Sequence, residues 1–292
     1  MKNMSEIRHN IRSVEETRQV TNAMFLLSTS RMKRALQQIG HNQQYMRTVR
    51  AAIRNILAHM PGEHPYMAYP GGGDHYPAFL VIASDKGLCG AYNQNVTRFA
   101  LQKLRAFDDY PVHVCTVGEH ATHALTVGGY QPDVAFSGAA QRPDTYYSRA
   151  TAEHFIQYFN EGRITSLRII YTHYITQLRQ EPRCLKLLPV QETDFTAEEA
   201  LPDGDQMLLE PSADALFGQA IPQYLVGMIY DCLHQALCSE QICRMNAMQN
   251  ATKNADEMLQ KLQLQYNTVR QLAITNEITE IAAATELADR GV

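Results

Sequence analysis

Hydrophobic residues recur at heptad spacing at both ends of this 292-residue chain, whereas the middle has a different pattern. Between Ile7 and Met60, seam positions follow one another at alternating steps of three and four, and most of them are apolar or small. The polar exceptions are Arg18, Thr21, Ser28 and Asn42. The same steps connect Met245 with Ala273. A repeat of about 3.5 residues is typical of a coiled-coil seam and predicts a left-handed supercoil. We therefore expect a long helix at each end of the chain.

Each terminal helix is too long to stand alone. An unbroken helix from Gln223 to Ala288 would span roughly 100 Å, far more than a globular domain of this size. It needs a partner along its length. A shorter helix is expected to start at Pro211 to Asp214 and to end at Pro222, before the long helix begins.

The middle of the chain combines a linker with an alternation of strands and helices. Residues 61–77 are rich in proline and glycine and predict an exposed linker. Beyond them, strands are expected at 78–83, 112–117 and 134–136, and helices at 93–107, 119–127 and 151–159. Two further strands, 167–175 and 184–190, suggest an edge hairpin turning at Gln180-Glu181-Pro182. This pattern predicts a Rossmann-like α/β domain, a small twisted sheet with helices, over 78–205.

The ends of an inserted domain usually lie close together, so the two long helices are expected to run antiparallel. The predicted plan is a coiled-coil shaft of 1–60 and 212–292, with the α/β domain between its two helices. Charge supports this pairing. Residues 1–60 carry ten Lys or Arg and three Glu, whereas residues 206–292 carry five Lys or Arg and ten Asp or Glu. The two ends are electrostatically complementary, while the overall charge of −4 argues against a nucleic-acid binder.

A turn between the first predicted strand and its helix occupies the position at which α/β domains bind phosphates. It contains Ser84, Asp85, Lys86, Gly87, Cys89 and Gly90. Neither the P-loop motif nor the dinucleotide fingerprint is present. The favoured interpretation is a tight turn on a surface that meets another protein, and a nucleotide-binding enzyme is the alternative.

The sequence predicts no catalytic, cofactor or metal site. The six cysteines form no C-x-x-C pair and no Cys/His cluster with zinc spacing, so we interpret them as thiols in a reducing compartment. His120 and His123 share a helix face, but no third ligand is near them in sequence. The first ten residues lack the apolar core of a signal peptide, and no run of about 18 apolar residues is available to span a bilayer.

The last part of the second long helix, residues 272–288, is apolar on all sides. Its large side chains are Leu272, Ile274, Ile278, Ile281 and Leu287. A two-helix hairpin buries only one face of each helix, so the remaining apolar surface is expected to be covered by a partner. A frayed, alanine-rich tail is the alternative.

Three segments closely resemble the gamma subunit family of F-type rotary ATP synthases, and the resemblance is colinear over the whole chain. They run from Glu6 to Ala35, from Ser84 to Asn93 and from Glu240 to Ile281. The most specific residues are Ser84-Asp85-Lys86-Gly87-Leu88-Cys89-Gly90, Arg244-Met245-x-Ala247-Met248 and Arg270-Gln271-x-x-Ile274-Thr275-x-Glu277-Ile278.

The resemblance implies a central stalk without an active site of its own. It places the coiled coil inside a ring of three alpha and three beta subunits, with the apolar tip turning in a sleeve. The α/β domain would pair with the epsilon subunit and the c-ring. One copy per complex would couple ion (proton) transport to ATP synthesis or hydrolysis at the cytoplasmic face of a bacterial membrane, as a peripheral subunit. Implied ring contacts are Met24, Arg31, Arg34, Arg270, Gln271, Thr275 and Glu280. A coiled-coil scaffold that forms homodimers is a second alternative.

Overall fold

The computed structural model describes residues 4–60, 62–195 and 209–289, with side chains described up to residue 284. The outer limits of several predicted segments, at 61, 205 and 292, therefore lie outside the described residues. The chain divides into two units, Met1–Leu27 with Met245–Val292 and Ser28–Arg244. We call them the coiled-coil unit and the central unit. Two long helices, α1 (Met4–Ala58) and α5 (Ala213–Asp289), contribute residues to both units, which confirms the predicted terminal helices.

In the coiled-coil unit, α1 and α5 pair in opposite directions. Arg8 Nη2 donates to the Tyr266 hydroxyl at 2.7 Å, and the Thr21 and Thr252 hydroxyls lie 2.8 Å apart. Partner numbers fall along α5 as they rise along α1, so the pairing is antiparallel as predicted. The buried seam includes Ile7, Met248 and Ala255. The polar seam position Thr21 thus bonds across the helix pair, as polar seam residues that fix register do.

The central unit contains a five-stranded sheet. Its strands are β1 (Pro77–Ile82), β2 (His113–Val117), β3 (Val134–Phe136), β4 (Ser166–Thr176) and β5 (Arg179–Leu188), in the order β3-β2-β1-β4-β5. The first four are parallel, and β5 pairs antiparallel with β4 at the edge. Three helices complete the α/β arrangement: α2 (Tyr92–Leu104), α3 (Glu119–Val127) and α4 (Thr145–Asn160).

Both faces of the sheet are covered, as a parallel sheet requires. Along β1, Leu80 and Ile82 belong to one hydrophobic cluster, and Phe79 and Val81 belong to another on the opposite face. The first cluster also contains side chains of α1, α4 and α5, whereas the second contains side chains of α2 and α3. The fold class predicted from the sequence is confirmed.

Pro222 does not end a helix, contrary to the prediction. It lies inside α5, which continues without a break from Ala213. A proline in a helix interior costs about 3 kcal/mol or more. Phe217, Ile221 and Leu225 surround Pro222 in the sequence and are each 0% exposed. Burying one such side chain stabilises the fold by about 1.5–3 kcal/mol, so packing outweighs the proline.

The edge hairpin is present, but its turn lies elsewhere than predicted. β4 ends at Thr176 and β5 begins at Arg179, so Gln177 and Leu178 form the turn. Pro182 is instead a strand residue opposite Thr172. Proline is tolerated there because β5 is an edge strand, where one unpaired backbone position is permitted.

The predicted exposed linker is partly packed. Its residues Pro65–Met67 form a 3-10 helix, and Tyr66 is buried among residues of the core. Asp74 accepts hydrogen bonds from Arg168, Ser166 and Thr165. The proline and glycine content correctly indicated irregular backbone, whereas the packing depends on partners that are distant in sequence.

Candidate interaction surfaces

The turn after β1 is held by its own side chains. Ser84 Oγ lies 2.8 Å from the Lys86 carbonyl oxygen and 2.9 Å from Asn93 Oδ1, two acceptors that share its single proton. The Ser84 backbone N–H also donates to Asn93 Oδ1, at 3.1 Å. Asn93 Nδ2 in turn donates to Cys89 Sγ at 3.3 Å. Burial raises the pKa of the Cys89 thiol, so this residue is a buried neutral thiol rather than a reactive thiolate.

A buried ion pair of α5 binds the same turn. Arg244 Nη2 donates to the carbonyl oxygens of Lys86 at 2.9 Å and of Gly87 at 3.1 Å. Arg244 Nη1 lies 2.6 Å from Glu240 Oε1. Burial raises the pKa of the Glu240 carboxyl, and the Arg244 guanidinium acts in the opposite direction.

This arrangement differs from a phosphate site. A phosphate loop presents backbone N–H groups to an anion, whereas this turn directs two carbonyl oxygens at a cation. Within the same unit, Ser239 of α5 donates to the carbonyl of Thr172 in β4 at 3.2 Å. Residues 239–244 of α5 therefore contact both β4 and the turn after β1. The geometry favours the interpretation of Ser84 to Gly90 as a structural turn, from which Leu88 projects with 65% of its surface exposed.

Within the part of the chain that the structure describes, the end of α5 carries large aliphatic side chains that are exposed. Ile274 is 46% exposed, Ile278 62% and Ile281 67%. Ala282, Ala283 and Ala284 are also exposed. The side chain of Leu287 lies outside the described residues. We call Leu272 to Ala284 the aliphatic end of α5.

The polar residues expected to contact a partner lie on both long helices. On α5, Arg270, Gln271, Thr275 and Glu280 are exposed, and the Thr275 hydroxyl donates to the Gln271 carbonyl at 2.9 Å. On α1, Arg31 and Arg34 are exposed and Met24 is half-buried. The four α5 residues thus share one stretch of helix with the aliphatic end.

The structure also brings together three residues that the sequence analysis did not connect. His113 and Cys115 lie on β2, and His154 lies on α4. Their ligand atoms all lie within 4.8 Å of one another. A sequence signal existed, because residues i and i+2 of a strand share a face. The third member was not recognisable because it lies far along the chain.

Comparison with known proteins identifies the family. The sequence model of a family described as ATP synthase matches residues 3–286. The ATP synthase gamma chain of Ruminiclostridium cellulolyticum is 35% identical over 285 residues, which cover 96% of this chain and 96% of that protein. The ATP synthase gamma chain of Caldanaerobacter subterraneus is 36% identical over 285 residues, covering 93% of this chain and 95% of the other.

Solved structures agree in fold at lower identity. A chain of the Tetrahymena thermophila mitochondrial ATP synthase, from a structure of the central stalk and c-ring, matches with a TM-score of 0.59 at 21% identity and covers 80% of this chain and 99% of its own. A chain of the Euglena gracilis mitochondrial ATP synthase matches with a TM-score of 0.63 at 16% identity, and the match covers 99% of this chain and 96% of the other. These matches agree with the fold, and the family model together with the relatives in sequence shows that the chain belongs to the ATP synthase gamma chain family.

Proposed function

We propose that this central-stalk subunit acts as the rotor of an F-type ATP synthase. It transmits rotation of a membrane c-ring to the catalytic head, and so couples ion transport to ATP synthesis or hydrolysis. The observation that carries the proposal is the exposed aliphatic end of α5 in a chain that aligns with gamma chains over nearly its whole length. A helix end with this surface suits rotation inside an apolar sleeve of other subunits.

The sleeve is a ring of three alpha and three beta subunits. Exposed aliphatic groups provide a contact that is not directional, so it tolerates rotation better than a fixed set of hydrogen bonds. The exposed residues Arg270, Gln271, Thr275 and Glu280 add polar contacts that form at particular angles of rotation. Met24, Arg31 and Arg34 on α1 contribute contacts of the same kind. In this division of roles, the aliphatic end is the bearing and the polar residues transmit torque.

The central unit meets the other rotor components, the epsilon subunit and the c-ring. The similar chains of Tetrahymena thermophila and Euglena gracilis come from structures described as a central stalk with c-ring and as a complex of OSCP, F1 and c-ring. In the part of the chain that is described, no helix is long and apolar enough to cross a membrane. The proposal assigns the subunit to the membrane surface, as a peripheral protein held at the cytoplasmic face of a bacterial cell by its contact with the c-ring.

The chain itself has no catalytic role in this proposal, since nucleotides bind to other subunits. The turn from Ser84 to Gly90 supports this, because Arg244 contacts two of its carbonyl oxygens. Isothermal titration of the purified chain with ATP separates this proposal from the nucleotide-binding alternative. We expect no saturable binding in the micromolar range, and such binding would overturn the non-catalytic assignment.

The decisive experiment replaces polar residues of α5 in the reconstituted complex. Arg270→Ala with Gln271→Ala is expected to lower ATP hydrolysis and ion pumping by about tenfold or more. Each charge-assisted hydrogen bond contributes about 1.5–3 kcal/mol, and 1.4 kcal/mol corresponds to a factor of about ten. Gln260→Ala with Lys261→Ala, an exposed pair of the same helix, is the matched control. Unchanged assembly, hydrolysis and pumping in the first variant would contradict the assigned contacts.

A further inference from the structure

A compact group of nitrogen and sulfur ligands lies in the central unit, between β2 and α4. His113 Nε2 and His154 Nε2 are 3.1 Å apart. Cys115 Sγ is 3.4 Å from the first nitrogen and 3.8 Å from the second. The three atoms therefore form a small triangle between β2 and α4.

These distances match those between ligand atoms that are bound to the same metal ion. Zinc binds histidine nitrogen at about 2.0–2.1 Å and cysteine sulfur at about 2.3 Å in tetrahedral geometry. Two nitrogens of such a site are then about 3.3 Å apart, and nitrogen and sulfur are about 3.6 Å apart. We propose that His113, Cys115 and His154 form a binding site for a thiophilic divalent cation of the zinc class. The fourth position of the tetrahedron is left to water.

A carboxylate orients one of the ligands. Asp133 Oδ2 lies 3.1 Å from His113 Nδ1, and the Val114 N–H holds the same oxygen at 2.7 Å. A carboxylate that accepts from Nδ1–H fixes the tautomer in which Nε2 carries the free lone pair. His113 Nε2 is the nitrogen that faces Cys115 and His154. His113 thus has the carboxylate partner that metal-binding histidines normally have.

The charges around the cluster suit a divalent cation. The Asp133 carboxylate and a Cys115 thiolate together balance two positive charges. The positive charge of Arg163 opposes cation binding, but its side chain is exposed and its Nη1 lies 3.6 Å from Glu161 Oε2. The Cys115 side chain is buried, whereas the Asp133 side chain that orients His113 is 47% exposed.

Binding exchanges the thiol proton of Cys115 for a bond between its sulfur and the cation. The Cys115 S–H bond breaks, the proton passes to solvent, and the sulfur electron pair forms the bond to the cation. The two neutral imidazoles donate lone pairs, and no oxidation or reduction takes place. The bound ion links β2 to α4 and so stabilises the central unit, because a ligand that binds only the folded state raises its stability.

The test uses the full-length chain, freed of metal and kept reduced, and titrated with Zn²⁺ and with Co²⁺. We expect one equivalent bound per chain, release of about one proton above the buffer background, and a thiolate-to-cobalt charge-transfer band. At a Zn²⁺ concentration about a hundredfold above Kd, Tm should rise by about 5 °C or more. Cys115→Ser and His154→Gln should each abolish the band and the rise in Tm.

Controls distinguish this site from other thiols and histidines. Cys184→Ser and His123→Gln should bind like the unmodified chain. Asp133→Asn keeps all three ligands and should weaken binding by about 10–100-fold, the usual effect of losing such a partner. Far-UV circular dichroism confirms that each variant is folded. If the unmodified chain binds no Zn²⁺, the proposal is overturned. The cluster is then explained by a hydrogen bond between His113 and His154. Binding that persists unchanged in both Cys115→Ser and His154→Gln would also overturn the proposal.

Discussion

Arg244 and Glu240 form an ion pair one helical turn apart in α5, with Nη1 2.6 Å from Oε1 and side chains that are 8% and 9% exposed. The same guanidinium holds the carbonyl oxygens of Lys86 and Gly87. Arg244 therefore joins α5 to the turn that follows β1.

Arg244→Ala should destabilise the central unit by about 3–5 kcal/mol, because it leaves a buried carboxylate and two carbonyl groups without their donor. Urea unfolding followed by circular dichroism measures the change as a lower midpoint. Arg12→Ala removes another pair with i, i+4 spacing, whose side chains are 83% and 65% exposed. That control should shift stability by no more than about 0.5 kcal/mol. Equal effects in the two variants would contradict the role given to burial.

Asp74→Asn should remove an acid-sensitive part of the stability. Burial acts to raise the pKa of the Asp74 carboxyl, but hydrogen bonds from Arg168, Ser166 and Thr165 outweigh it, and the pKa lies below its usual 3.8. A lowered carboxyl pKa stabilises the fold above the unfolded value, and this contribution is lost as pH falls through the folded value.

The unmodified chain should therefore exceed Asp74→Asn in stability by about 2 kcal/mol at neutral pH. The difference should shrink below about pH 4, as the native carboxyl takes up its proton. Thermal unfolding of both chains at a series of pH values measures it. Asp109→Asn, at an exposed aspartate, is the control. A difference that stays constant into the acid range would contradict the assignment.

Two glycines should respond in opposite directions to the same substitution. Gly118 has φ +92°, and a Cβ placed there would lie 2.4 Å from the Ala83 carbonyl oxygen. Gly118→Ala should cost about 3 kcal/mol or more, through backbone strain and this clash. Gly40 lies inside α1 with nothing within 4 Å of such a Cβ, so Gly40→Ala should add about 1 kcal/mol. Calorimetric Tm values of the two variants show whether each substitution stabilises or destabilises the chain. A Gly118→Ala variant that is more stable than the unmodified chain would contradict the predicted clash.

Ile278→Ser should separate binding from folding. Ile278 is 62% exposed, so the substitution should change the stability of the isolated chain by no more than about 0.5 kcal/mol. It should weaken association with the alpha and beta subunits, measured by reconstitution at limiting concentrations. Ile53→Ser, at a side chain that is 0% exposed, should instead lower stability by about 3–5 kcal/mol. Normal assembly with Ile278→Ser would remove the aliphatic end of α5 from the interface.

Much of the fold was readable because its signals are local. Seam positions of α1 such as Ile39 and Met46 are buried, and those of α5 such as Ala255 follow the same repeat. The strands near residues 78, 113 and 134 were found because each is a short apolar run between turn residues. The handedness of the supercoil and the partner-contact residues remain predictions, since they depend on geometry or subunits that the described residues do not include.

The errors have a common physical cause, namely contacts between residues distant in sequence. Local rules predict that Pro222 ends a helix, but the core around it includes residues from other elements. Pro182 resembled a turn residue and lies in an edge strand. Asp74 lies in a segment predicted to be an exposed linker, yet it forms an ion pair with Arg168. The cluster of His113, Cys115 and His154 was missed for the same reason, because β2 and α4 meet only in the folded chain.

The aliphatic end of α5 has a consequence for how the protein is made. A chain that exposes several large aliphatic side chains on one helix presents a surface on which identical copies associate. Any excess of this subunit over those that cover its helix end should therefore self-associate and be lost to aggregation. The cell's supply of the subunit is then best matched to that of its partners, and recombinant yield should rise when they are produced together.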